Sequence, residues 1–488
     1  MHWESLIVAG REGLERFLGL LGKSAELLAE WIDEPRALSP AGEVSPRILG
    51  EGATPHVVLE ALVARLRSSR RLNAYNLGGL EPPPLAPSLA AYALSAALNP
   101  NNAVELEELS ATASLERECV RTLAEIVGYD PDVAGGTLVS CGTLSILTAL
   151  LVARDRAFKK GILRGLYGSR RMAVLASSAS HFSLRKALRV LGMGETGLVE
   201  VPIATREEIE EFAKSGVPLP LKPRVEDYEE RARELEREGV RVVALVSTLG
   251  TTGTGTVEPV AELAGLCEEL GARLHVDAAL GGFALLSPKV RERARGVELS
   301  DSVTADPHKL GFVQYPCSAV LFREGRDLEL LRYEGPYLRG VAPTIEGSRP
   351  GAQAAALWVV LKSLGKEGYR ALVERCLRAA EYFAERLVEE GYQLLHEVDL
   401  NIVCFSLTRE GAKRIELNKL NRRVYERINE RGRFRVSYIE DLGVRVREGC
   451  AEVPIEGIRV VFMNPLVTEG LVEEFLEELE EVSKRESI

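Results

Sequence analysis

The chain has 488 residues, too many for one ordinary core, so two or more domains are expected. Its 61 basic and 72 acidic side chains give a net charge of −11, which excludes a dominant nucleic-acid or anionic-membrane footprint. Seven scattered cysteines without a CxxC pair argue against a disulfide framework and a structural zinc site and fit a reduced, cytoplasmic chain, and no metal site is expected.

Residues 1–75 carry Glu4, Arg11, Glu12 and Glu15 among apolar positions, which reads as amphipathic helix and not as a signal peptide. Pro82, Pro83 and Pro84 then form a stretch too rigid for a helix interior. From 76 to 365 helical patterns alternate with short apolar runs at 173–176, 242–246, 274–276, 302–305 and 319–322. Such runs fit strands buried on both faces of a mostly parallel sheet, with helices such as 260–271 as crossovers. Long helical patterns at 352–364 and 368–391 lead into residues 366–488, expected to form a smaller α+β domain with a strand at 459–462. The longest apolar stretch, 144–153, is broken by Ser145 and Thr148 and is too short to span a bilayer.

In open α/β sheets ligand groups gather on loops beyond the carboxyl ends of the strands, and the polar motifs here follow apolar runs. The glycine-rich segment 135–145 runs into a helical pattern. Backbone N–H groups at its helix start, with the hydroxyls of Ser140, Thr143 and Ser145, suit a phosphate dianion. No GxxxxGK[ST] loop occurs. His181 follows the run at 173–176, where an imidazole can stack on a flat ring or simply belong to a capping loop. Thr248 opens a small polar loop that lines a ring face or makes turns.

Asp277 precedes Ala278, Ala279, Gly281 and Gly282, small residues that let a ring approach the sheet. Lys309 lies in Asp306-Pro307-His308-Lys309 after the run at 302–305. Alone it reads as a solvated surface lysine. With Asp277 it forms the pair a pyridoxal phosphate enzyme needs, an amine for a Schiff base and a carboxylate for the pyridinium nitrogen.

Together these residues resemble the pyridoxal phosphate-dependent group II decarboxylases, which include glutamate, aromatic amino acid and archaeal tyrosine/aspartate decarboxylases. The likeness covers most of 75–465. It is strongest at 275–279, at 306–309 and at Thr344-Ile345-Glu346-Gly347-Ser348-Arg349-Pro350-Gly351. The resemblance implies a fold type I homodimer, related to aspartate aminotransferase, with active sites shared between subunits. It implies Lys309 as the Schiff-base lysine, Asp277 as the pyridinium partner and His181 as the stacking histidine. Gly142, Thr143 and His308 fall at phosphate-binding positions, Ser348 at one that reaches the neighbouring subunit's phosphate, and Thr248 and Ala279 beside the cofactor. Arg459 falls where relatives hold the substrate carboxylate, as paired guanidinium donors would. Tyr333 or Tyr337, with Tyr337 preferred, would reprotonate Cα.

The expected reaction is decarboxylation of an L-amino acid, with glutamate, aspartate and tyrosine the leading substrates. Cys141 and Leu280 depart from the family's glycine and aromatic. The string at 347–351 also resembles the sphingosine-phosphate lyase branch, so a retro-aldol carbon–carbon lyase is one alternative and a non-catalytic cofactor-binding protein the other.

Overall fold

The computed structural model describes residues 10–32, 54–66, 73–103, 111–159, 165–166, 171–334 and 341–486. Seven strands form the central sheet: β1 (Gly135–Val139), β2 (Met172–Ser177), β3 (Leu198–Val201), β4 (Arg241–Thr248), β5 (Arg273–Ala278), β6 (Ser302–Ala305) and β7 (Ser318–Phe322). Their order is β1-β7-β6-β5-β4-β2-β3. The pairs β3–β2, β2–β4, β4–β5 and β5–β6 are parallel, and β7 runs antiparallel to both β6 and β1. The expected α/β architecture with a mostly parallel sheet is therefore present.

The apolar runs are strands because both sheet faces are covered. Every residue of β2, β6 and β7 is buried, which suits continuous apolar sequence better than alternation. The reversal of β7 has a local cause. Residues 306–317 join β6 to β7 without a helix, and a parallel return needs a crossover element. Lys309 sits in that short connection. β1 was not expected as a strand, since its glycines read as loop. Gly136 is needed there for close approach, because a Cβ would lie 2.6 Å from the Val320 carbonyl oxygen of β7.

A second, antiparallel sheet contains Gln393–Leu394, Ile402–Ser406, Gly457–Val461 and Ser437–Ile439 in that order. The expected strand near 459–462 is its third member. Phe383, Phe405, Phe462 and Phe475 fill the core behind it, the Phe383 ring centre lying 5.7, 5.5 and 5.7 Å from the other three. Phe383 comes from the helix Ala352–Glu389, which is interrupted at Gly365 (φ 58°).

The proline-rich segment ties the two sheets together. Leu77 donates to Arg435 O at 2.7 Å and accepts from Val461 N at 2.8 Å, while Leu85 donates to Phe312 O at 2.9 Å beside Lys309. Among the described residues no helix is long and apolar enough to cross a membrane.

Candidate active site

Lys309 follows β6, and its ammonium nitrogen lies 3.2 Å from Asp306 Oδ2. The other Asp306 oxygen accepts from Ser318 Oγ at 2.5 Å. His308 Nδ1 accepts the Cys317 N–H at 3.2 Å, so the ring proton belongs on Nε2, which faces Asp306 Oδ2 at 3.3 Å. Burial alone would raise the Asp306 carboxyl. The Lys309 ammonium and the His308 and Ser318 hydrogen bonds outweigh it and hold the group down to about 2. Asp306 is thus an anion that orders the whole Lys309 turn.

Asp277 is the last residue but one of β5, paired in register with Thr248 of β4 and Thr304 of β6. It is buried and accepts from Ala279 N at 3.2 Å. Burial pushes its carboxyl up, and the Lys309 ammonium and the Ala279 N–H oppose that rise. Thr248 beside it is buried.

His181, on the turn after β2, is half-buried and shares a 2.8 Å hydrogen bond between Nδ1 and Ser183 Oγ. Burial and then the Lys309 charge lower its pKa, so the imidazole is neutral at neutral pH. Lys309 therefore acts electrostatically on both His181 and Asp277, and the three meet at the carboxyl end of the sheet.

Gly142 opens the helix Gly142–Ala157. A Cβ there would lie 3.0 Å from Asp306 Oδ2, so this helix start packs closely against the Lys309 turn. Thr143 occupies the next position of the same turn. Ser145, expected to add a phosphate hydroxyl, is instead buried against Thr304 Oγ1 at 2.7 Å and Ala319 O at 2.9 Å, pinning helix to sheet. The fit to pyridoxal phosphate is good: an amine, a buried carboxylate, a neutral imidazole and a helix start converge.

The pyridoxal-dependent decarboxylase conserved domain matches residues 84–408, two thirds of the chain and all of this cluster. The chain belongs to that family. A probable L-tyrosine/L-aspartate decarboxylase of Methanothermobacter thermautotrophicus is 32% identical over 386 residues, 77% of this chain and 89% of that protein. The L-aspartate decarboxylase of Thermococcus kodakarensis is 31% identical over 76% of this chain and 83% of its own. Among solved structures, the glutamate decarboxylase domain of a diaminobutyrate-pyruvate transaminase and L-2,4-diaminobutyrate decarboxylase from Vibrio parahaemolyticus superposes with a TM-score of 0.81. It is 21% identical and covers 99% of each chain, a likeness of fold. The protein is a pyridoxal phosphate-dependent carboxy-lyase of amino acids, and neither the carbon–carbon lyase nor the non-catalytic alternative finds support.

In this decarboxylase Arg459 and Ser348 have hydrogen-bond partners outside the Lys309 turn. Arg459, on the strand Gly457–Val461, is buried and already engaged. It donates to Gly253 O at 2.8 Å, Thr252 O at 2.7 Å and Ser437 Oγ at 3.0 Å, which leaves one N–H on each terminal nitrogen. It lines a cavity of about 370 Å³ with Glu81, Thr252, Gly253 and Tyr438. Ser348 is exposed and accepts from Asn101 Nδ2 at 3.1 Å. Tyr337 lies outside the described residues, and Tyr333 is 73% exposed. His275, though in a strand-end segment, is a core residue bonded to Ser302 and Thr304. Among the described residues no group of three or more His, Cys, Asp or Glu is placed to hold a metal ion.

Sequence reasoning did not weigh Asp306 or Glu258. Asp306 was visible as an acid three residues before the lysine. Glu258 carried no signal, since its contacts are with Ser177 and Thr248 in distant runs. Tyr315, whose ring stacks on His308 with centres 4.0 Å apart, was likewise unmarked.

Proposed function

We propose that this decarboxylase converts L-aspartate, L-glutamate or L-tyrosine to the corresponding amine and carbon dioxide, with Lys309 carrying the cofactor. The single observation behind the site assignment is the convergence of Lys309, Asp277 and His181 at one sheet end. The chemistry supplied by bound pyridoxal phosphate is an electron sink for the electron pair left on Cα as carbon dioxide departs. The chain's residues prepare that event. Lys309 anchors the cofactor, and the buried Asp277 carboxylate keeps the ring nitrogen protonated. The neutral His181 imidazole covers one ring face, while Thr248 and Ala279 bound the rest. Gly142 and Thr143 would receive the phosphate beside His308, whose two ring nitrogens are engaged by Cys317 and Asp306, and Ser348 would reach the phosphate held by a second subunit. Arg459, through its two remaining N–H groups, would hold the substrate carboxylate. Tyr337 returns a proton to Cα.

Two features support a homodimer. The helices Gly10–Ile32 and Pro55–Leu66 expose Leu18, Leu21, Val57, Val58, Leu62 and Leu66, an apolar surface suited to a second copy. Ser348 is exposed on its own subunit, as a residue serving a neighbour must be. The free state of all seven cysteines supports a reducing, cytoplasmic setting. Gly365 is the natural divide between a large cofactor-binding part and a smaller one.

The test is purified protein with pyridoxal phosphate and each amino acid in turn, measuring carbon dioxide and amine. One of the three named acids should turn over fastest, and Lys309→Ala should abolish both turnover and the visible absorption of bound cofactor. Release of an aldehyde without carbon dioxide would overturn the reading.

A further inference from the structure

Glu258 is fully buried and has no ion-pair partner among the described residues, yet it binds two strands of the site at once. One oxygen is bonded to the hydroxyl of Ser177 at the end of β2, and the other accepts the Thr248 N–H at the end of β4 at 2.7 Å. The Glu258 N–H also donates to Thr248 O at 3.0 Å, so both backbone groups of Thr248 are held by this one residue. Thr248 is the register partner of Asp277. Ser177 lies 3.3 Å from Ser180 Oγ, on the turn that carries His181.

We propose that Glu258 is a positioning residue of the cofactor site, a neutral carboxyl that clamps Thr248 against Asp277 and ties it to the His181 turn. A buried carboxylate without a cation is costly, whereas the neutral acid satisfies every contact: one oxygen shares its proton with Ser177 and the other accepts from Thr248. Burial lifts the carboxyl to about 7, against the Ser177 and Thr248 hydrogen bonds, and the charge of Asp277 adds to the rise. The titratable groups that face it are Asp277 on β5 and Tyr228 on the helix Val225–Arg237. Below about 7 the Glu258 carboxyl is neutral, which leaves Asp277 as the only anion of the two.

This rests on the assignment of Asp277 and His181 given above. The experiment is titration of the apoprotein with pyridoxal phosphate, followed by protein fluorescence and by the visible absorption of the bound cofactor. It is run well below the unfolding temperature, so that a merely structural loss does not register. Glu258→Gln, which reproduces one donor and one acceptor, should bind within about threefold of wild type, and Glu258→Ala should bind about tenfold or more weakly with an altered absorption band. Glu258→Gln as weak as Glu258→Ala would overturn the neutral form, and Glu258→Ala indistinguishable from wild type would overturn the positioning role. Should Glu258→Ala not fold, Glu258→Asp decides: its shorter reach should weaken binding, and unchanged binding overturns the clamp. Asp277→Asn is measured alongside. Cofactor binding unchanged in that variant overturns the site assignment and this inference with it, whereas the Glu258 arms failing alone leave the assignment standing.

Discussion

Lys309 and Asp306 form a 3.2 Å ion pair across the turn after β6, and that pair joins three groups into one unit, because His308 and Ser318 share the same carboxylate. The anion is worth keeping only while it is ionised. Its folded pKa, about 2, lies below the ordinary 3.8. Its contribution to stability is therefore complete above 3.8 and is lost as pH falls through about 2.

Replacing Asp306 by Asn should destabilise the apoprotein on the order of 2 kcal/mol at about pH 7 and about pH 5, with the difference closing as pH falls below the ordinary carboxylate range. Denaturant unfolding of both proteins across that range measures it. A gap independent of pH would mean that Asp306 contributes by packing alone.

Arg459 gives a prediction with two readouts. It staples the Thr252–Gly253 loop to the second sheet, and in the proposed function it also holds the substrate carboxylate. Arg459→Ala should lower kcat/KM by about 30-fold or more, since truncating one partner of a buried charged contact costs about 2–5 kcal/mol. It should also lower the melting temperature, because two carbonyls lose their donors. Arg459→Lys keeps the charge without the fork and should recover little of the activity. A fall in stability with kcat/KM unchanged would make Arg459 a staple only.

The sheet was legible because buried parallel strands write themselves as continuous apolar runs, and 173–176, 242–246, 274–276, 302–305 and 319–322 all became strands. β1 was not legible. Gly135 and Gly136 look like a turn, and only the nearness of the Val320 carbonyl explains them. Lys309, Asp277 and His181 were singled out from their order along the chain, since Asp277 lies near the end of β5 and His181 and Lys309 lie on the turns after β2 and β6. What stayed hidden depends on pairs brought together by folding: Glu258 with Ser177, and Ser145 with Thr304, where a hydroxyl that looked free for phosphate is consumed by the core.

Arg349 is part of such a hidden pair. The conspicuous segment 347–351 reads as a contact surface, yet Arg349 is buried. Its Nη1 bonds to Glu116 Oε1 at 2.5 Å and to Leu138 O at 2.9 Å, and its Nη2 to Asn102 O at 2.8 Å. Glu116 in turn accepts from Leu138 N at 2.9 Å, so the pair holds β1 against the Ser348 segment. Arg349→Ala or Glu116→Ala should each cost about 3–5 kcal/mol in denaturant unfolding, because each leaves an uncompensated buried charge. The double variant should cost less than the sum of the two, a coupling that a double-mutant cycle reads directly. Additive losses would show that the two side chains act separately.

Leu62 is 48% exposed on the helix Pro55–Leu66, with Val58 one turn earlier at 53%. An exposed leucine contributes little to the fold of a single subunit, so Leu62→Glu should leave the melting temperature of dilute protein nearly unchanged. If this helix packs against a second copy, the same change buries a carboxylate in an apolar contact and should raise the dimer dissociation constant by about tenfold or more. Sedimentation equilibrium of wild type and variant over a range of concentrations measures both states. An unchanged dissociation constant would remove this helix from the interface, and a wild-type protein that stays monomeric at every concentration would remove the dimer itself.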